Sequence, residues 1–225
     1  MEKIVKEFYV YDFNELKEDV KKELIEKERD RQGENYCEIF LEEDMKEESK
    51  DLLQKYFGIT SEYLQVYYDL SYSQGSGAMI EFDINIEDLN NKYKIFSEEE
   101  IRFINDCEIV NNIKVRHNDN FYYHEYTFGI DSDYYSIDYD YEDIKEDYNI
   151  SEEDFNTIEE RLDNLLIDSD KHYTESDFVK DIISMNKELV GRGYENIEYF
   201  WNCEDSEIIE FLEEHKYLES GEVYE

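Results

Sequence analysis

The chain has 225 residues, with 62 acidic against 23 basic side chains, a formal charge of −39 and 22 tyrosines. An ordinary domain stays within roughly eight charges of neutral, so this chain repels nucleic acid and anionic membranes and is drawn to basic surfaces. Hydrophobic residues at 40% and aromatics at 16% exclude a disordered polyanion, and no apolar run approaches the roughly 18 residues of a membrane span.

Residues 4–11, rich in β-branched and aromatic side chains, read as a first strand. Asp12 then offers an N-cap with Glu15 as its capping-box partner. A helix to about Gln32 follows on Phe13, Leu16, Val20, Leu24 and Ile25, and Gly33 is expected to end it. A second helix is expected over 38–56, with Ile39, Phe40, Met45, Leu52, Leu53 and Tyr56 buried and Gly58 as its C-terminal signal.

From Tyr63 to Tyr72 the pattern alternates, the loop Ser73-Gln74-Gly75-Ser76-Gly77 interrupts it, and a second strand runs from Ala78 to Ile86. This is a hairpin signature. Ser97, with Glu100 three residues on, opens a helix to about Cys107. Strands are expected over 109–117 and 120–139, then helices over 151–166, 174–191 and 204–218. The order β-α-α-β-β-α-β-β-α-α-α predicts an α+β fold, an antiparallel sheet covered by helices. Its sheet-containing region would be 1–150, with a helical region, 151–225, packed on it as one globular unit.

The N-terminal Met1-Glu2-Lys3-Ile4-Val5-Lys6 lacks the apolar stretch of a signal peptide. The separated Cys37, Cys107 and Cys203 make neither a disulfide framework nor a CxxC pair, so a reducing cytoplasm is expected. Proline is absent, where ordinary usage gives about eleven. An AT-rich genome such as a phage's fits that composition and the abundance of tyrosine.

The total charge suffices for nucleic-acid mimicry. A domain of this length has a radius of gyration of about 17 Å, hence a diameter of roughly 45 Å, and duplex DNA that long carries about 26 phosphates. The mean density falls short: about 11,000 Å² of surface gives one net charge per roughly 280 Å², two- to threefold sparser than DNA. A mimic must therefore concentrate carboxylates on one face. The steepest stretches are 131–160, with 13 acids opposed by Lys145 alone, and the last 25 residues, with nine acids and Lys216. They supply the candidate partner-binding set: Asp131, Asp133, Asp138, Asp140, Glu142, Asp143, Glu146, Asp147, Glu152, Glu153, Asp154, Glu210, Glu213 and Glu214.

Other constellations carry less. The Ser73–Gly77 loop lacks the GKS/T ending of a phosphate cradle and reads as a turn whose glycines let backbones approach closely. Residues 131–142 place Asp131, Asp133 and Glu142 like a calcium loop, but Tyr135 and Ser136 break the pattern. As a strand the segment puts tyrosines on one face and carboxylates on the other. His117 and His124 flank an aromatic turn with Glu125 adjacent, without the spacing of a known metal site, and no nucleophile motif is present. No catalytic residue, metal or cofactor is expected.

Three segments resemble a family of acidic phage-encoded proteins: Tyr11-Asp12-Phe13-Asn14-Glu15-Leu16, Tyr72-Ser73-Gln74-Gly75-Ser76-Gly77-Ala78 and Tyr122-Tyr123-His124-Glu125. The family loop reads Ser-Gln-Gly-Asp-Gly-Ala; here Ser76 replaces the aspartate, and Asn118-Asp119-Asn120 stands where a glycine precedes the tyrosines. The resemblance implies phage origin, and some members are labelled antitoxins. The expected function is inhibition of a bacterial defence nuclease of anti-CRISPR or anti-restriction type, without enzymatic activity, by binding the basic surface of a host protein in the cytoplasm. The alternative is an antitoxin that neutralises a basic toxin.

Overall fold

The computed structural model describes residues 9–71, 76–118, 122–132, 148, 151–165 and 176–224. The fold is α+β, and the chain divides into two compact units, Met1–Glu42 with Tyr194–Glu225 and Glu43–Gly193.

In the first unit the strand expected over 4–11 is two residues long where described: β1 (Tyr11–Asp12) pairs antiparallel with β6 (Lys216–Tyr217). The capping box at Asp12 is present, its N–H donating to Glu15 Oε2 at 3.0 Å. It caps only a 3-10 turn, Phe13–Glu15, because Leu16 and Lys17 are extended. The long helix α1 starts afterwards, at Glu18, and runs to Asn35.

Gly33 does not end α1. The helix continues through a π-helical stretch, Tyr36–Phe40, into α2 (Leu41–Phe57). A Cβ at Gly33 would lie 2.7 Å from Trp201 Cδ2 and Cε2, so glycine here admits an indole ring. Tyr36 next to it stacks on Phe200 at 4.2 Å. The core of this unit joins Phe13, Leu16, Ile208, Leu212 and Tyr217, with Val20, Leu24 and Ile25 of α1 packed against it.

The buried side of α2 holds Met45, Leu52 and Leu53 as expected, but Ile39 and Phe40 are 63% and 53% exposed. They fall on the π-helical stretch, whose extra residue per turn breaks the 3.6-residue phase before Leu41. Gly58 does cap α2, at φ 71°, its N–H donating to the Gln54 carbonyl.

The second unit is built on a sheet in the order β2-β3-β4-β5, all antiparallel: β2 (Leu64–Asp69), β3 (Gly77–Asn85), β4 (Asn112–His117) and β5 (Phe128–Ser132). The hairpin register pairs Val66 with Ile80 and Asp69 with Gly77; residues 72–75 of its loop lie outside the described residues. Residues 122–127 are turn and irregular backbone rather than strand. Of the strand expected over 120–139, residues 128–132 form β5, and 120–121 and 133–139 lie outside the described residues.

A helix that the sequence reading lacks, α3 (Ile86–Tyr93), follows β3, with the Asn85 side chain accepting from the Asp88 N–H at 2.7 Å. Next, α4 (Glu98–Asp106) carries the expected Ser97–Glu100 capping box. Glu100 is buried and also accepts from Arg161 at 2.6 Å, on α5 (Glu152–Leu165).

The helix expected over 174–191 is α6 (Asp177–Trp201), which passes through both Gly191 and Gly193. Gly193 sits against Leu70 and Met45, where a Cβ would meet Leu70 Cδ1 at 2.7 Å. The helix expected over 204–218 is shorter, α7 (Asp205–Leu212), because the chain turns at 213–215 into β6.

Glu188 of α6 knits the second unit together. It accepts from Lys55 at 2.5 Å, Arg192 at 2.8 Å and the Tyr56 hydroxyl at 3.1 Å. The Lys55 ammonium and then the Arg192 guanidinium hold its carboxyl down to about 2. A depressed folded pKa stabilises above the ordinary carboxylate value and loses that contribution as pH falls from about 4.5 towards about 2. Glu188→Gln is expected to cost about 1–2 kcal/mol at neutral pH, since the group is partly solvated. The cost shrinks at pH 3, so urea unfolding of both proteins at the two pH values checks it.

Candidate functional site

The candidate acids separate into three groups. Asp133, Asp138, Asp140, Glu142, Asp143, Glu146 and Asp147 lie outside the described residues. Asp131, Glu152, Glu153 and Asp154 belong to the second unit, and Glu210, Glu213 and Glu214 to the first.

Asp131 is exposed on β5, directly opposite Lys114, which is itself opposite Asp83 on β3. A cross-strand row that alternates in sign stabilises the sheet and does not concentrate charge. Glu152, Glu153 and Asp154 occupy the first turn of α5, where carboxylates favour the macrodipole. Asp154 also accepts from the Ser151 hydroxyl at 2.6 Å. Both settings give these acids structural work.

His117 and His124 are likewise absorbed into packing. His117 stacks on Tyr67, centroids 5.0 Å apart, and its Nε2 lies 2.8 Å from the Tyr122 carbonyl, which makes that nitrogen the donor. His124 stacks on Tyr122. Beneath them Glu81 is buried, accepting from the Tyr63 hydroxyl at 2.8 Å and the His117 N–H at 2.7 Å. Among the described residues no group of three or more His, Cys, Asp or Glu could hold a metal ion, and no helix is long and apolar enough to cross a membrane.

Carboxylates do gather on the first unit, which carries 24 acids against nine basic residues. Asp19, Glu23, Glu26, Asp30 and Glu34 of α1 are all exposed and recur at spacings of four, three, four and four. At 100° per residue they occupy one sector about 80° wide, and at 1.5 Å per residue they span about 22 Å. One DNA strand carries about six or seven phosphates over that length. The stripe thus reaches most of the linear charge density of a single strand, which the chain average does not.

The cations of α1 do not neutralise the stripe, because most are turned elsewhere. Lys21 pairs with Glu18 at 2.9 Å and Lys17 with Glu219 at 2.8 Å. Arg29 pairs with Asp205, and Arg31 holds the buried Glu28 through both Nε and Nη2. Lys22 and Lys27 flank the sector. Among the described residues, no salt bridge engages Glu23, Glu26, Asp30 or Glu34.

On α7 and its ends, Glu204, Glu207, Glu210 and Glu214 are exposed at spacings of three, three and four, and Glu213 accepts from the Asn14 amide at 2.6 Å. Of the sequence candidates, then, Glu210 and Glu214 stand in a helical row of unpaired acids. The α1 stripe is the part that sequence reasoning missed, although its spacing is legible at the period of a helix. Comparison with family models, with curated proteins and with solved structures gave no match.

Proposed function

We propose that this protein is a phage-encoded inhibitor of a bacterial defence nuclease, of anti-CRISPR or anti-restriction type. It occupies the basic nucleic-acid channel of its host partner with helix-mounted carboxylates in place of phosphates. The observation that carries this reading is the α1 stripe, five exposed carboxylates in one sector whose neighbouring cations are mostly engaged in other ion pairs. A nuclease channel lined with Lys and Arg is the complementary surface, and steering between the two speeds association at low salt.

The test is cleavage of a labelled duplex by a panel of restriction endonucleases and CRISPR effectors, titrated with the protein. Inhibition of at least one enzyme is expected, relieved by excess unlabelled DNA. It is also expected to weaken by up to on the order of 100-fold between about 50 and 200 mM salt, as for roughly five phosphate-like contacts. Inhibition indifferent to salt and to competing DNA would sink the mimic.

A further inference from the structure

Several of the chain's own cations share one arrangement. Among the described residues six basic side chains lie over aromatic rings, where the usual frequency gives about three in a chain of this length. Every one of the six also pairs with a carboxylate. Arg116 lies 4.2 Å from the Tyr63 centroid and pairs with Asp83. Lys92 lies 4.9 Å from Tyr93 and 2.6 Å from Asp181. Arg31 lies 5.3 Å from Phe211 and 2.6 Å from Glu28. Lys55, Arg102 and Lys187 repeat the arrangement. A ring beside a carboxylate is thus a recurring holder for a cation in this protein.

One such holder has no cation of its own. Trp201, the single tryptophan, rests on Gly33 of α1 and remains 37% exposed. Glu198 lies three residues earlier on α6, and Asp30 lies three residues before Gly33 on α1. Residues at that spacing are surface neighbours. Glu198 is therefore a helical neighbour of Trp201 itself, and Asp30 of the glycine on which its ring rests. Both are exposed, and among the described residues neither enters a salt bridge or a side-chain hydrogen bond. Of the two cations flanking Asp30 in sequence, Arg29 is directed to Asp205 and to the Cys203 carbonyl, and Arg31 to Glu28.

We propose that Trp201, Asp30 and Glu198 form a recognition site for an arginine side chain of the basic partner. Indole is the strongest of the aromatic cation acceptors. Guanidinium is planar, weakly hydrated and able to stack while its N–H groups reach two carboxylates, whereas an ammonium is a compact, strongly hydrated charge. The site rests on the reading of a basic partner and sharpens it: the anchor is arginine, and its place is the C-terminal end of the α1 stripe.

Because the chain has one tryptophan, its emission reports this site alone. The intact protein is titrated with hexa-arginine and hexa-lysine peptides at low salt. Hexa-arginine is expected to change Trp201 emission saturably, with hexa-lysine about 10-fold weaker. The double variant Asp30→Asn with Glu198→Gln is expected to lose that preference, while Glu152→Gln with Glu153→Gln, the same change in net charge, keeps it. Equal affinity for the two peptides, an unresponsive emission, or equal loss in both double variants would overturn the site. Nuclease inhibition separates the two readings: inhibition without arginine preference sinks the site and keeps the function, and arginine preference without inhibition does the reverse.

Discussion

Gly77→Ala is expected to lower the unfolding free energy by about 3 kcal/mol, at the upper end of the overpacking range, and the melting temperature by roughly 10 °C for a chain of this size. Gly77 opens the buried run of β3, opposite Asp69. An added Cβ would lie 2.2 Å from the Tyr123 carbonyl oxygen, 2.9 Å from its carbon and 3.0 Å from His124 Cα. All three are backbone atoms, so no rotamer change relieves the contact. The cost arises from contact and not from conformation, because Gly77 does not take a positive φ. The displaced segment carries Tyr123, which stacks against Tyr67 at 6.0 Å, so near-ultraviolet circular dichroism should change with the melting temperature. An unaltered melting temperature would mean that the 122–127 segment gives way freely, and that the close approach contributes nothing to the fold.

Features that depend on short-range chemistry were legible in the sequence, and features that depend on a distant partner were not. The Ser97–Glu100 capping box and the alternation in 64–70 and 78–84 act within a few residues, and both are present. Gly33 carried the local signal of a helix terminator and the helix expected over 174–191 stopped short of Gly193, yet both glycines lie inside helices. What decides between termination and close approach is Trp201 in one case and Leu70 with Met45 in the other, and neither is local. The helix α3 was hidden because Ile84 and Ile86 continue the alternation of β3 across the Asn85 cap.

The acidic stripe was hidden by charge counting along the chain. Residues 15–34 hold eight acids and six bases, so a linear window reads as nearly neutral. Folding separates the signs: four of those bases are bound to Glu18, Glu28, Asp205 and Glu219, and the remaining acids fall into one helical sector. The steep acidic stretch at 131–160 shows the converse where it is described. Asp131 is balanced by Lys114 across the strand, and Glu152, Glu153 and Asp154 serve a helix start. Linear charge density is a poor guide to surface charge density wherever ion pairs are long-range.

Neutralising the stripe by Glu23→Gln, Glu26→Gln, Asp30→Asn and Glu34→Gln is expected to weaken nuclease inhibition by on the order of 100-fold, chiefly through a slower association. The same variant should gain stability. Four like-charge pairs at i,i+3 or i,i+4 are removed and three opposite-charge pairs with the flanking lysines (Lys22–Glu26, Glu23–Lys27 and Lys27–Asp30) are lost, each worth about 0.2–0.5 kcal/mol, leaving a gain of about 0.2–0.5 kcal/mol. That gain should fade as salt screens the repulsion, so thermal melts at about 20 and 500 mM sodium chloride, where the Debye length shrinks several-fold, read it directly. Glu152→Gln with Glu153→Gln should behave oppositely, losing about 0.5–1 kcal/mol of macrodipole stabilisation and leaving inhibition intact. The sign of the stability change thus distinguishes carboxylates that the fold uses from carboxylates it merely tolerates. A stripe variant that loses stability, or that inhibits as well as the parent, would assign α1 to the first class and remove it from the interface.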